Sequence, residues 1–270
     1  MRERAGPPRG IIDAEHRPYT HGRYLPIEPL RAFVEHFWSV AWDLTDEPPR
    51  VVQTLPHPSV HITFETGLPA QVGGVHRGRF TRTLAGRGRV FAIKFRLGGF
   101  YPYLKRPLSA LTDQIWRLED CFGPAAEALH ATIHAEPEDE ARIALAELFL
   151  LARLPEPDPN VALIERIAAY IQAEPSLTRV DDLCTAMDIG KRTLQSLFKH
   201  YVGISPKWMI QRYRLHEALE RLDGRPVLDW SEFALSLGYF DQAHFIKDFR
   251  VMVGMTPGEY RGAPAAADRH

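Results

Sequence analysis

The sequence predicts an α+β chain: a β-rich first part with a helical tail, then an all-α part of two helix-turn-helix units joined by a helix. Three observations predict it. Runs rich in Val, Ile, Phe, Thr and Trp, separated by glycine turns, fill the first hundred residues. An alternating-proline joint, Pro155-Glu156-Pro157-Asp158-Pro159, interrupts the chain. Beyond it a helical pattern repeats at an offset of 51 residues.

Length and composition set the frame. At 270 residues the chain is long enough for about two domains. Apolar residues at 45% and charged residues at 25% exclude wholesale disorder, collagen and a bare coiled coil. No stretch approaches the roughly 18 uncharged apolar residues of a membrane span, so no membrane partner is expected. The opening MRERAGPPRG has no apolar run, so the expectation is no secretory signal and a cytoplasmic location. Cys121 and Cys184 are too few for a disulfide framework or a multi-cysteine zinc site. No P-loop, dinucleotide fingerprint or nucleophile elbow occurs, and no cofactor is expected.

Taken in order, His36–Trp42, Val51–Leu55, Ser59–Glu65 and Val90–Arg96 read as strands, with turns at Gly73-Gly74 and Gly86-Arg87-Gly88. A cupin-like barrel is one form such strands could take. Pro124 to Leu154 reads as helix with a break near Pro137. The prolines of the joint lack amide donors and push their predecessors out of the helical region. The boundary is therefore set there, giving domains 1–155 and 156–270.

His57-Pro58-Ser59-Val60-His61 invites a metal reading. On one strand, His57, Ser59, His61, Thr63 and Glu65 would share a face. However, i to i+4 along a strand spans about 13 Å, too far for two ligands of one ion unless Pro58 bends the strand. Hydrogen-bonding histidines are the better reading, and no metal is assigned. A pocket for a small apolar or aromatic effector fits the aromatic content better, with Trp38, His57, His61, Phe95 and Tyr101 as candidate ligand contacts.

The second half carries the repeat. Leu194 matches Phe245, Phe198 matches Phe249, Gly203 matches Gly254, Ser205 matches Thr256 and Pro206 matches Pro257. Each unit reads as helix, short turn, helix, then Gly-x-Ser/Thr-Pro. In the first, Val180–Met187 leads, Asp188-Ile189-Gly190 turns, and the next helix runs from about Lys191 to Tyr201. Leu194, Leu197, Phe198 and Tyr201 form its apolar stripe; Arg192, Gln195, Ser196 and Lys199 form a polar one. In the second, Trp230–Leu237 leads, Gly238 turns and Asp241 opens the next helix. Phe245, Phe249 and Met252 are its buried set; Gln242, Ala243, His244, Lys247 and Arg250 are left for a partner. A connecting helix starts at Ser205-Pro206 and ends near Leu222, before Gly224 and Pro226.

Net charge is only −1, but Lys191, Arg192, Lys199, Lys207, Arg212 and Arg214 lie in a window with no acid, a local charge suited to steering a polyanion. A solvated helix face is the alternative reading of the same run.

Leu183, Leu194, Phe198-Lys199 and Gly203-x-Ser205-Pro206, followed by Gly238-Tyr239-Phe240-Asp241-Gln242-Ala243-His244-Phe245, Phe249-Arg250, Gly254-x-Thr256-Pro257 and Tyr260-Arg261, resemble the twin helix-turn-helix DNA-binding domain of the AraC family of transcriptional regulators. The resemblance covers about Asn160 to Arg261. It implies a promoter-binding regulator, an activator in many cases, with an effector-binding or dimerising first half. Double-stranded DNA, a small-molecule effector, RNA polymerase and a second copy are the partners it implies. Mapped on the motif, Arg192, Gln195 and Ser196 are base-contact candidates in the first unit and Gln242, His244 and Lys247 in the second; Lys191, a phosphate contact or a solvated charge, and Ala243 complete the DNA-facing set. Lys199 and Arg250 suit phosphates. Asp188, Gly190 and Ser196 depart from the family pattern, where a turn glycine, a capping serine and a long basic side chain are usual. The segments around Phe33–Trp38 and Leu55–His61 are similar to a subgroup whose first domain is uncharacterised. Two further functions fit the sequence: a metal-dependent or DNA-repair enzyme, the latter using Cys121, fused to a DNA-binding module, and a ligand-independent dimer formed through Pro124–Leu154.

Overall fold

The computed structural model describes residues 3–6, 19–224 and 229–262. Pro226, expected to follow the connecting helix, and most of the opening ten residues lie outside them. Eight strands come first: β1 (Tyr19–Tyr24), β2 (Val34–Leu44), β3 (Arg50–Thr54), β4 (His61–Glu65), β5 (Gln71–Gly73), β6 (Phe80–Leu84), β7 (Gly86–Phe95) and β8 (Ile115–Arg117). Six of them form one antiparallel sheet in the order β1-β2-β7-β4-β5-β8; β3 pairs with β6 alone. Among the described residues this is an open sheet with a separate two-stranded pair, and no barrel closes.

The alternation along β2 puts Phe37 on one face and Trp42 and Leu44 nearer the other. Phe37 packs with Phe64 and Phe91 in the main core. Trp42 and Leu44 join Leu84 in a smaller cluster beside β6. Trp42 lies over Gly88, its cross-strand partner, where an added Cβ would come within 2.2 Å of the indole. A short helix α1 (Tyr101–Leu104), then α2 (Leu118–Phe122), α3 (Pro124–Ala135) and α4 (Asp139–Leu151) complete this part. Leu129, Ile133, Ile143 and Leu150 face the sheet and belong to its core.

The His57–Val60 segment is loop; β4 starts only at His61. Pro56 and Pro58 supply no amide donors and bias the residues before them, so the ladder cannot form until they are passed. The shared polar face from His57 to Glu65 therefore does not exist as expected.

The second half is entirely helical among the described residues: α5 (Pro159–Ala173), α6 (Val180–Ala186), α7 (Lys191–Tyr201), α8 (Pro206–Gly224), α9 (Trp230–Ser236), α10 (Gln242–Val253) and α11 (Pro257–Gly262). Asp158 caps α5 by accepting from the Asn160 amide at 2.9 Å, and Pro159 takes the first helical position. The repeat is structural. Asp188 (φ 49°) and Gly238 (φ 77°) make the left-handed turns, and Gly203 (φ 92°) and Gly254 (φ 85°) end the second helices. Ser205 Oγ then accepts from the Trp208 amide, and Thr256 and Glu259 form a reciprocal capping box. Leu194, Phe198, Phe245 and Phe249 are all fully buried, each worth roughly 3–5 kcal/mol if cut to alanine for the phenylalanines.

Candidate nucleic-acid interface

Each unit presents one helix whose inner face is core and whose outer face is polar. On α7, Lys191, Arg192, Gln195, Ser196 and Lys199 are exposed while Leu194, Leu197 and Phe198 are buried. On α10, Ala243, His244, Lys247 and Arg250 are exposed and Gln242 is half-buried. All ten predicted contact residues therefore lie on these two helices.

Local bonds decide which of them are free to reach out. Lys191 Nζ sits 2.7 Å from Asp181 Oδ1, tying α7 to α6 across the turn. That contact also holds the Asp181 carboxyl below its ordinary range. Arg192 and Lys199 stand about two helical turns apart on one stripe. His200 Nδ1 lies 2.7 Å from the Ser196 carbonyl and 3.4 Å from its hydroxyl, so Ser196 is partly occupied. On α10, Gln242 Oε1 accepts from Ser231 Oγ at 3.1 Å, which orients it from α9. His244 Nε2 lies 3.5 Å from Asp248 Oδ2, which also accepts from Gln211 Nε2. This carboxylate makes α10 less basic than α7. Asp241 caps α10 through the His244 amide at 2.7 Å.

Phe240, immediately before that cap, is 86% exposed. A hydrophobic residue there ordinarily staples back onto the helix, so sequence reasoning passes over it; here Tyr239 packs on Phe245 instead and Phe240 is left at the head of α10. The basic window also divides. Lys191, Arg192, Lys199 and Lys207 are at the surface, whereas Arg212 and Arg214 are buried at 0% and 3% exposure. Arg214 donates to the Ile171 and Glu174 carbonyls and pairs with Glu217. Arg214 ties α8 to α5 and Arg212 ties it to the Pro56 carbonyl, so both are spent on internal contacts.

The five side chains predicted for ligand contact go elsewhere than a common cavity. Trp38 Nε1 donates to His61 Nδ1 at 3.1 Å, and His61 Nε2 meets Ser59 Oγ at 3.1 Å. Burial drives His61 down to about 3, so it is neutral. His57 stacks on His216, Tyr101 packs on Tyr201 with the rings tilted by 36°, and Phe95 is fully buried against Phe100. Among the described residues no three potential metal ligands converge. A cleft of about 730 Å³ lies instead between the sheet and α3–α4, lined by Trp42, Phe64, Phe91, Arg89, His134 and Arg142 among others. Cys121 is half-buried, and burial pushes its thiol up to about 11. No described helix is long and apolar enough to cross a membrane.

Two family models match: a helix-turn-helix domain over residues 183–263 and a domain of unknown function (DUF6597) over residues 22–117. The HTH-type transcriptional regulator MtrA of Neisseria gonorrhoeae is 33% identical over 84 residues, 30% of this chain and 27% of that protein. A putative AraC-like transcription regulator of Streptomyces lividans is 33% identical over 86 residues, 32% of this chain and 28% of that one. The chain thus spans little more than a quarter of the length of these two relatives. Among solved structures, ToxT of Vibrio cholerae aligns over 86% of this chain and 99% of its own at 13% identity and a TM-score of 0.41. This chain thus matches a helix-turn-helix domain over residues 183–263, in a region similar to AraC-like transcription regulators, joined to a β-rich amino-terminal part that matches a domain of unknown function.

Proposed function

We propose that the protein is a sequence-specific transcriptional regulator that sets α7 and α10 into consecutive major-groove segments of promoter DNA. The observation that carries the reading is the pairing of two helices with equivalent cores and equivalent exposed polar stripes. Helix α8, 19 residues long, is a rod of about 28 Å between them. With side-chain packing at each end it suits helices about 34 Å apart, one turn of duplex. Arg192 forks onto guanine, and Gln195 and Gln242 pair with adenine. Ser196, Ala243, His244 and Lys247 add nearer contacts, Lys191 supports from its bridge, and Lys199 and Arg250 take phosphates. The exposed Lys191, Arg192 and Lys199 of α7 make the first unit dominant in affinity.

Two features support a regulator over an enzyme: the unreactive environment of Cys121, and the ordinary structural roles of His61, which is hydrogen-bonded to Trp38 and Ser59, and His57, which stacks on His216. The 730 Å³ cleft supports a small-molecule effector for the first part, and the chain is proposed to divide into domains 1–155 and 156–270. In that reading Trp38, His57, His61 and Tyr101 couple the two parts, and contact with RNA polymerase or a second copy follows from DNA-bound geometry. Selection of bound fragments from a genomic pool, followed by groove footprinting, tests the core of the proposal. The expected result is an enriched site with two protected major-groove segments about one turn apart. Failure to enrich any fragment over random DNA overturns it.

A further inference from the structure

The first part does not merely precede the helical part; it grips it. Leu55, fully buried, belongs to the core of the second unit with Leu215, Ala218 and Leu219 of α8. Val75 belongs to the core of the first unit with Ile164 and Phe198. Between these two plugs the Pro56 carbonyl accepts from Arg212 Nε at 3.1 Å and Nη2 at 2.6 Å, and His216 hydrogen-bonds to it as well. The His57 and His216 rings stack at 4.2 Å with planes 2° apart. Arg212 and His216 are 0% and 7% exposed. Arg212 Nη1 and His216 Nε2 have no partner.

We propose that the Leu55–His57 loop and α8 form an acid-released latch, which holds the amino-terminal domain against the helix that joins the two helix-turn-helix units. The latch is closed only while His216 is neutral. Every element around it contributes cations or occupied acids. On α8 itself, Arg212 lies one turn away and Tyr213 faces His57 at 6.5 Å; Glu217 is turned to Arg214 and Arg221. From β7 comes Lys94, and from β2 Glu35, which is spent on Lys94 Nζ at 2.9 Å and His36 Nδ1 at 3.2 Å. His61 of β4 is neutral, and the loop brings His57. A proton on His216 therefore adds a buried cation beside Arg212 with no carboxylate to receive it. Opening exposes both groups to water and removes that cost.

The sign follows from burial. His216 is held well below the ordinary histidine value when closed and returns to about 6.5 when open. The closed form is thus fully favoured above about pH 6.5 and is lost as pH falls below it, by about tenfold per unit for one proton. The consequence for DNA rests on the proposed function, because α8 sets the spacing of α7 and α10; the latch itself is tested without DNA.

The test uses the full-length chain with Cys121→Ala and Cys184→Ala, plus Leu55→Cys. The buried thiol introduced there reacts with a pyridyl disulfide only when the latch opens. Rates are divided by those of glutathione at each pH to give the opening constant. From pH 6.5 to 5.5 the constant should rise about fivefold, and it should stay flat in both His216→Gln and His216→Phe, whatever their starting level. Should Leu55→Cys fail to fold, Val75→Cys reports the same event from the other plug. An Ile62→Cys thiol, in the core of the first domain, must stay silent over the same range. A slope that survives in the His216 variants, no slope in the parent, or an equal slope at Ile62 overturns the latch.

Discussion

Arg192, Lys199 and Lys191 share one helix, and the structure gives each a different fate on truncation to alanine. Arg192 is exposed in the first turn of α7, the end that enters a groove in a helix-turn-helix. If it forks onto a base, its loss costs roughly 1–3 kcal/mol on the selected site, a fall of about 5- to 150-fold, with little change on scrambled DNA. Lys199 stands seven residues on, about 10 Å along the axis, and in the proposed docking it takes a phosphate. Its loss weakens selected and scrambled DNA alike and makes the plot of log affinity against log salt shallower by about 0.9. Lys191 is already held by Asp181 at 2.7 Å, with both side chains more than half exposed. Such a bridge is worth at most about 1 kcal/mol, so its loss should move affinity least. Fluorescence anisotropy on both DNAs between 50 and 200 mM salt, a range on the order of that used to expose counterion release, separates the three. Equal losses on both DNAs for Arg192→Ala, or a larger effect at Lys191 than at Lys199, refute the assignment.

Other outcomes follow from single contacts. Gly203→Ala should destabilise by at least about 2 kcal/mol in urea melts: its φ of 92° suits only glycine, and a Cβ would lie 2.7 Å from the Leu108 carbonyl. A loss below about 0.5 kcal/mol would mean that α7 does not rest on that carbonyl. Asp241→Ala removes the cap on α10 and should cost about 1 kcal/mol, read as a lower Tm and weaker site binding. Cys121, raised to about 11, should alkylate at pH 7 roughly a hundredfold more slowly than a free thiol; an ordinary rate would put it back among nucleophile candidates. His61, depressed to about 3 from an unfolded value near 6.5, stabilises fully above pH 6.5 and loses that contribution as pH falls toward 3. Tm measured from pH 7 to 4.5 should fall less steeply in His61→Gln than in the parent, and parallel curves contradict the buried neutral ring.

The helical half was largely legible because its signals are local. Stripe periodicity gave the buried sets of α7 and α10, and Asp188, Gly203 and Gly254 take the left-handed or terminating geometries their positions suggested. The strands were found but their neighbours were not. The sheet order β1-β2-β7-β4-β5-β8 depends on pairings between distant segments, which no window of sequence contains. The Ser59–Glu65 strand starts two residues late, at His61, because two prolines outweigh the apolar alternation that follows. The candidate ligand contacts are another matter: aromatic content marks where rings are, and most rings here fill the core or the contact between the two halves.

Arg212 shows why a charge window misleads. In the sequence it extends a basic run and adds to the outer field. In the fold its guanidinium is enclosed, because the acceptor it needs is a carbonyl 156 residues earlier, exposed by a loop that proline keeps out of the sheet. Burial without a carboxylate lowers even an arginine, here to about 9, and such a charge survives only where backbone oxygen replaces water. The same prolines that prevent β4 from starting at His57 therefore create the acceptor that fixes α8. Replacing Pro56 and Pro58 by alanine should then loosen the grip on α8 while sparing the sheet, since β4 begins only at His61. Hydrogen exchange would show it as faster exchange in α8 with unchanged protection in β7, whereas equal loss in both would mean the loop supports the sheet and not the helix.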